Sequence, residues 1–219
     1  LEVNRLLQNE GTPIEDLIGL LEKDQSMVLK LLRLVNSSFY GFKSKISSLR
    51  HAITLLGYGT VQNAVVTLSV IESLKTDGAP SGFDVSQFWT HSIGVAVMGR
   101  RLALLVKLPA PEEAFTAGLV HDIGKVILAT HFPDDFLVLM GAAMQASATF
   151  YTTEMRNDTY PHTLIGNHLA KRWMLPEALA LSIRHHHGGL KQVADPVLPG
   201  LVTVADALDD IAGYFERID

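Results

Sequence analysis

Apolar residues recur with a helical period along almost the whole chain, and this pattern constrains the fold more than any other feature of the sequence. Segment 27–35, for example, carries leucine at positions 29, 31, 32 and 34. No two segments show the strict alternation of apolar and polar residues that half-buried strands require. The sequence therefore predicts an all-α protein.

Polar caps, prolines and glycines predict where these helices begin and end. Thr12-Pro13-Ile14-Glu15 reads as an N-cap, a proline at the first helical position and a capping-box glutamate. Ser48 and Thr60 are further predicted N-caps, and the glycines at 57 and 59 are predicted breaks. The later helices are predicted at 85–106, 112–120, 123–130, 134–155, 162–173, 176–186 and 198–211.

The segment from Lys75 to Asp84 is rich in glycine, proline and serine, which is typical of a linker. It divides the chain into an N-terminal helical lobe, residues 1–75, and a C-terminal helical lobe, residues 76–219. We expect the two lobes to belong together as one domain.

The composition limits the possible classes of function. With 219 residues, of which 47% are hydrophobic, the chain can bury a substantial core. Its formal net charge of −5 offers no overall basic field, so neither nucleic acid nor an anionic membrane is an expected partner. The absence of cysteine excludes thiolate metal sites and agrees with a cytoplasmic protein, and no apolar stretch reaches the roughly 18 residues that span a bilayer.

The segment His121-Asp122-Ile123-Gly124-Lys125 points to metal chemistry. It supplies two ligand types from neighbouring positions, because a neutral imidazole binds one ion whereas a carboxylate can bridge two. Further candidate ligands occur in helical segments before and after it: His91, His162, His186, His187 and Asp206. Helix bundles build metal sites from side chains on facing helices, so we expect these residues to converge on His121-Asp122. The histidine run at 185–187 has an alternative interpretation, as a helix C-terminus at which the helix dipole stabilises protonated histidine.

The order of these residues resembles the HD superfamily of metal-dependent phosphohydrolases, and the whole chain resembles its HDOD branch. The resemblance runs from about Pro13 to Gly213. It rests on four segments in the expected order: 31–41 (LLRLVNSSFYG), 46–57, 88–92 (FWTHS) and 117–125 (AGLVHDIGK). It implies a helical HD-type bundle preceded by an N-terminal helical lobe.

The resemblance also implies two alternative functions. HDOD domains occur in bacterial signalling proteins as regulatory, protein-binding modules, so the favoured expectation is a non-catalytic module with a signalling partner and a His/Asp metal site. The alternative is a metal-dependent phosphohydrolase, in which Asp122 bridges two cations. His91, His121 and Asp206 would then hold one cation, and His162 with His186 or His187 the other. The expected cofactor is one or two divalent ions of iron, manganese, nickel or zinc.

If the protein is an enzyme, Asp122 and Lys125 are the candidate catalytic residues, with Lys125 stabilising charge on a phosphate-containing ligand. Lys125 can equally be a surface residue at a helix start. Two departures from the related HD-GYP phosphodiesterases argue against cyclic di-GMP hydrolysis. Gln87 replaces a glutamate ligand found in some of them, and residues 188–191 (GGLK) replace their Gly-Tyr-Pro loop. The turn at 36–42, with its three aromatic residues, is a candidate partner surface or simply part of the lobe core.

Overall fold

The computed structural model describes residues 14–36, 45–74, 79–157 and 159–216, and within these ranges it contains helices and no strand. The predicted all-α fold is confirmed. The α-helices are α1 (Ile14–Leu21), α2 (Gln25–Val35), α3 (Leu49–Leu56), α4 (Tyr58–Ser73), α5 (Val85–Leu105), α6 (Pro111–Val120), α7 (Ile123–His131), α8 (Pro133–Ala146), α9 (Phe150–Arg156), α10 (His162–Arg172), α11 (Glu177–His185) and α12 (Val197–Glu216).

Two predicted helix boundaries are wrong. The single helix expected at 134–155 is two helices, α8 and α9, because Ser147 adopts a left-handed conformation with φ of 48°. The Thr149 side chain then accepts a hydrogen bond from the Thr152 backbone N–H and caps α9. The predicted break at Gly59 and the predicted N-cap at Thr60 are wrong for the same reason, since both residues lie inside α4, which already begins at Tyr58. Gly57, with φ of 83°, is the residue that ends α3, as predicted.

Three predicted features lie wholly or partly outside the described residues. These are the N-cap at Thr12-Pro13, the aromatic part of the turn at 36–42, and the lobe boundary at Lys75. The described residues separate into two compact units, one ending at Ser73 and also including 173–175, the other formed by the described parts of 74–172 and 176–216.

The first unit contains α1–α4, which pack around the buried side chains of Leu21, Leu31, Val35 and Val61. Asn36 follows α2 and ties the helix end to the segment before α3. Its side-chain amide donates to the carbonyls of Leu32 and Ile46, and its carbonyl oxygen accepts the Ile46 N–H at 2.8 Å. None of the candidate metal ligands belongs to this unit.

The second unit is built around α5, which packs against α6 and α12. Helix α10 packs against α7 and α11, and α11 packs against α12. Every candidate ligand therefore lies within a helix or next to a helix end. Each of these helices packs against another one that also carries a candidate ligand. Among the described residues no single helix has both the length and the apolarity to cross a bilayer, although the bent pair 111–131 and 133–146 meets that criterion jointly by length and composition.

Helices α7 and α10 approach each other through two glycines. A Cβ at Gly124 would lie 1.9 Å from the carbonyl oxygen of His162 and 2.9 Å from the backbone nitrogen of Gly166. A Cβ at Gly166 would in turn lie 3.1 Å from the backbone nitrogen of Gly124. Only glycine permits this backbone contact, which places the start of α10 beside the start of α7.

We expect Gly124→Ala to lower the free energy of unfolding by about 3 kcal/mol or more, because the added methyl group would push α7 and α10 apart. Gly141→Ala is the matched control, since it replaces a helical glycine with nothing within 4 Å of its Cβ position. The control should be neutral or stabilising by up to about 1 kcal/mol. Urea denaturation measures both changes, and equal stabilities would contradict the tight helix contact.

Candidate metal centre

Asp122 lies between two helices, and the candidate ligands surround it. It precedes α7, while His121 follows the last residue of α6. His91 lies within α5 and Asp206 within α12. His162 is the first residue of α10, and His186 and His187 directly follow α11. The structure thus brings all seven predicted ligands together, whereas their binding of a metal remains a prediction.

One group of ligand atoms lies on the Oδ2 side of Asp122. The Nε2 atoms of His91 and His121 are 3.8 and 3.5 Å from this oxygen. The same nitrogens are 3.2 and 3.5 Å from Oδ1 of Asp206. His91, His121 and Asp206 offer ligand atoms that all lie within 4.8 Å of one another, a spacing that one metal ion can bridge. We call these three residues the cleft-side group.

A second group lies on the Oδ1 side. The Nε2 atoms of His162 and His186 are 3.2 and 3.4 Å from Oδ1 of Asp122, and they are 3.3 Å from each other. Together with His187, these residues offer four ligand atoms within 4.8 Å of one another. We call Asp122, His162, His186 and His187 the buried group, because the side chains of its first three members are at most 2% exposed.

The imidazole rings are held by their Nδ1 atoms. Nδ1 of His121 donates to the Gly118 carbonyl at 2.6 Å, and Nδ1 of His186 donates to the Ile183 carbonyl at 2.9 Å. Because a carbonyl can only accept, each neutral ring carries its proton on Nδ1 and presents an unprotonated Nε2 to the centre. This is the tautomer that metal-binding histidines require when Nε2 is the ligand.

Two carboxylates that were not among the predicted site residues hold two further rings, those of His162 and His91. Glu154, which is fully buried, accepts hydrogen bonds at 2.7 Å from both the backbone N–H and the Nδ1 of His162. Asp209 accepts from Nδ1 of His91 at 2.8 Å. Glu154 lies eight residues before His162 in a separate helix, so no helical spacing links the pair. Asp209 is three residues after Asp206, a spacing that places both on one face of α12 and could have revealed it.

Several buried polar atoms in the centre lack a hydrogen-bond partner among the described residues. They are Nε2 of His121, Oδ1 of Asp122 and Nε2 of His187. A buried polar group without a partner costs about 1–3 kcal/mol, and these three atoms all belong to the two ligand groups. Lone pairs that face one another at such distances are stabilised by a cation between them, so the donor set fits a divalent metal ion.

The charges of the metal-free centre are shifted by burial and by neighbouring groups. Burial opposes protonation of His91, but Asp206, Asp122 and Asp209 outweigh it and raise its pKa to about 9. Burial lowers the pKa of His186 to about 4 and that of His187 to about 3. These two rings are therefore neutral at pH 7 and able to bind a metal without losing a proton.

Burial would raise the pKa of Asp122, but the positive charge of Lys125 is the largest of the influences that oppose burial, and the pKa lies well below its usual range. The ammonium group of Lys125 donates directly to Oδ2 of Asp122, one turn away at the start of α7. Lys125 is thus paired with a buried carboxylate and is not simply a surface residue at a helix start. Burial opposes the charge on Lys125 as well, yet Asp122 raises the pKa of the ammonium group.

A cleft of about 690 Å³ leads to this centre. Asp122, Lys125 and His91 line the cleft, together with a cluster of aromatic residues that contact one another: Phe83, Phe88, Phe136 and Phe150. Its other charged lining residues are all carboxylates, namely Asp84, Asp209 and Asp210. Among the described lining residues, Lys125 is the only lysine or arginine. The lining of the cleft thus combines aromatic side chains with several carboxylates.

Comparison with protein families gives one match over most of the chain. The family model described as the HDOD domain matches residues 1–188. The matched region begins and ends earlier than the predicted span from Pro13 to Gly213. It includes His91, His121-Asp122 and His162 but ends before α12, so Asp206 lies outside it.

Two solved structures resemble the chain over nearly all of its length. An HDOD domain protein of unknown function from Geobacter sulfurreducens is 28% identical with a TM-score of 0.79, and the match covers 94% of this chain and 69% of that chain. A protein from Shewanella amazonensis SB2B, named a candidate phosphohydrolase, is 25% identical with a TM-score of 0.77, and the match covers 95% and 74%.

A curated relative is an uncharacterised protein from Treponema pallidum (strain Nichols), which is 25% identical over 208 residues. The match covers 94% of this chain but 40% of the relative. The chain therefore spans about two fifths of the length of that relative.

We expect Asp122→Ala to lower the metal content of the purified protein much more than His185→Ala. Asp122 offers one oxygen to each ligand group, whereas His185 belongs to neither group. Elemental analysis of both variants, purified side by side, measures the difference. Equal metal content in the two variants would contradict the assignment of Asp122 as a ligand.

The metal-free protein should lose stability as the pH rises from about 6.5 to about 9. The pKa of His91 is raised to about 9 in the folded protein, so its contribution is complete below about pH 6.5 and is lost as the pH passes 9. The shift corresponds to at most about 3 kcal/mol. Urea denaturation in EDTA measures the free energy of unfolding across this pH range. This free energy should fall less steeply with pH in His91→Gln than in the wild type, and an equal fall in both would contradict the raised pKa of His91.

Proposed function

This chain belongs to the HDOD domain family, and from that membership and the site geometry we propose that it is a metal-binding regulatory module of bacterial signal transduction. In this proposal one or two divalent cations of iron, manganese, nickel or zinc bind at the two ligand groups. Their role is to hold the helices of the second unit in one arrangement. The module then acts by binding a signalling partner through its helical surfaces.

The negative charges of the cleft are the observation that supports a non-catalytic role. Enzymes that transfer phosphoryl groups surround the phosphate with several cationic donors. Here three carboxylates, Asp84, Asp209 and Asp210, stand at the cleft walls, and the ammonium group of Lys125 is already bound to Asp122. A polyanionic substrate would meet repulsion along the same route by which it approaches the metal ligands.

An exposed apolar stripe supports the binding of a protein partner. Val204, Leu208 and Ile211 follow one another on α12 at helical spacing, and they are 48%, 37% and 53% exposed. Apolar surface of this kind is typical of sites that bind another protein. We propose this stripe, in addition to the turn at 36–42, as a surface for the signalling partner.

A metal-dependent phosphohydrolase is the second candidate function. It is favoured by one observation: Asp122 and Lys125 line a cleft beside a group of only three ligands, as in catalytic sites that keep an open coordination position. Bound metal ions would supply a water molecule that loses its proton near neutral pH. Lys125 would then leave Asp122 to donate to a phosphate oxygen, and Glu154 would keep His162 oriented.

We expect no manganese-dependent hydrolysis of cyclic di-GMP or of bis(p-nitrophenyl) phosphate above the rate of Asp122→Ala. The acidic cleft and the bound state of Lys125 are the physical reasons. Metal content is measured on the same samples, so that an inactive protein is known to be loaded. Turnover that rises with manganese and vanishes in Asp122→Ala would contradict the non-catalytic proposal and support the phosphohydrolase function.

A further inference from the structure

The two ligand groups differ in how completely they enclose a cation. The buried group offers four ligand atoms, which is the number that closes a structural metal site. The cleft-side group offers three, and Oδ2 of Asp122 beside them becomes a fourth only if Lys125 releases it. His91 is 22% exposed and lines the cleft, whereas none of the three histidines of the buried group lines it, although His187 is 23% exposed. A cation at the cleft-side group would therefore be in contact with solvent.

The two oxygens of Asp122 are also in different electrostatic states. Oδ1 faces the histidines of the buried group and has no hydrogen-bond partner among the described residues. Oδ2 faces the cleft-side histidines and already accepts a hydrogen bond from the ammonium group of Lys125. A divalent cation that used Oδ2 would meet this positive charge within a few ångströms, where like charges repel strongly.

The cleft provides a second place for the ammonium group. Lys125 lines the cleft together with Asp209 and Asp210. Asp210 is exposed, and the positive charge of Lys125 acts on its carboxylate. The side chain of Lys125 is flexible and 23% exposed, so its head group can exchange one carboxylate for another without movement of α7.

We propose that Lys125 competes with the second cation for Asp122, so that the module keeps one metal ion in the buried group and exchanges another at the cleft-side group. Binding of the exchangeable cation moves the ammonium group of Lys125 from Asp122 to the carboxylates of the cleft. The charge distribution in the cleft then depends on the concentration of available divalent cations. This inference rests on the proposed metal binding and adds to it a means of regulation.

Manganese(II) binding to the metal-free protein tests this inference, with free manganese followed by its electron paramagnetic resonance signal. Lys125→Met removes the competing charge and leaves an unbranched side chain that is one atom shorter. Lys125→Arg keeps the charge. Lys171→Met is the matched control, because Lys171 is 56% exposed and lines no part of the cleft. Thermal unfolding of each variant shows that it is folded, and Lys125→Gln replaces Lys125→Met if the latter does not fold.

The wild type should bind one manganese ion tightly and a second one weakly. Lys125→Met should tighten the second ion by about tenfold or more and leave the first unchanged, because only Oδ2 contacts the ammonium group. Lys125→Arg and Lys171→Met should retain the weak second ion. A second ion that binds Lys125→Met no more tightly than wild type would overturn the role of Lys125. Absence of both ions from the wild type would instead overturn the proposed metal binding itself.

Discussion

The buried carboxylate of Asp122 is the interaction on which the rest of the second unit depends. A buried charge is costly unless its surroundings compensate it, and here the two oxygens differ. Oδ2 binds the ammonium group of Lys125, whereas Oδ1 faces the unprotonated Nε2 atoms of His162 and His186 and has no hydrogen-bond partner among the described residues. Three helical segments, namely α7, α10 and the end of α11, therefore meet at this carboxylate. The same arrangement creates two sets of ligand atoms, and a cation between them would compensate Oδ1.

Close backbone packing makes that meeting possible. His162 reaches Asp122 because Gly124 and Gly166 let α7 and α10 approach to within contact of their backbones. Glu154 then holds His162 by both its backbone N–H and its ring. Position and tautomer of the ring are thus set by two independent features, the glycine contact and the buried carboxylate. Loss of either one would disturb the centre without touching a ligand.

Much of the fold was predictable, because a helical apolar period and local caps are properties of short segments. Ser48 and Gly57 act at the helix ends where the sequence places them. The break at Ser147 was missed, since a non-glycine residue in the left-handed conformation leaves little trace in the sequence. Within the site, the approach of His91 and Asp206 to His121-Asp122 was predicted from residue types. His91 and Asp206 are more than a hundred residues apart in the sequence, and such a separation carries no geometric information.

The sequence by itself determined the helical class and the supply of imidazole and carboxylate groups, because both depend on residue type and local period. The tertiary structure decided how these groups divide. It assigned the two oxygens of Asp122 to different neighbours, recruited Glu154 and Asp209 as partners of the rings, and bound Lys125 to Asp122 beside an acidic cleft. These outcomes depend on distances between helices, and such distances arise only when side chains from distant segments pack against one another.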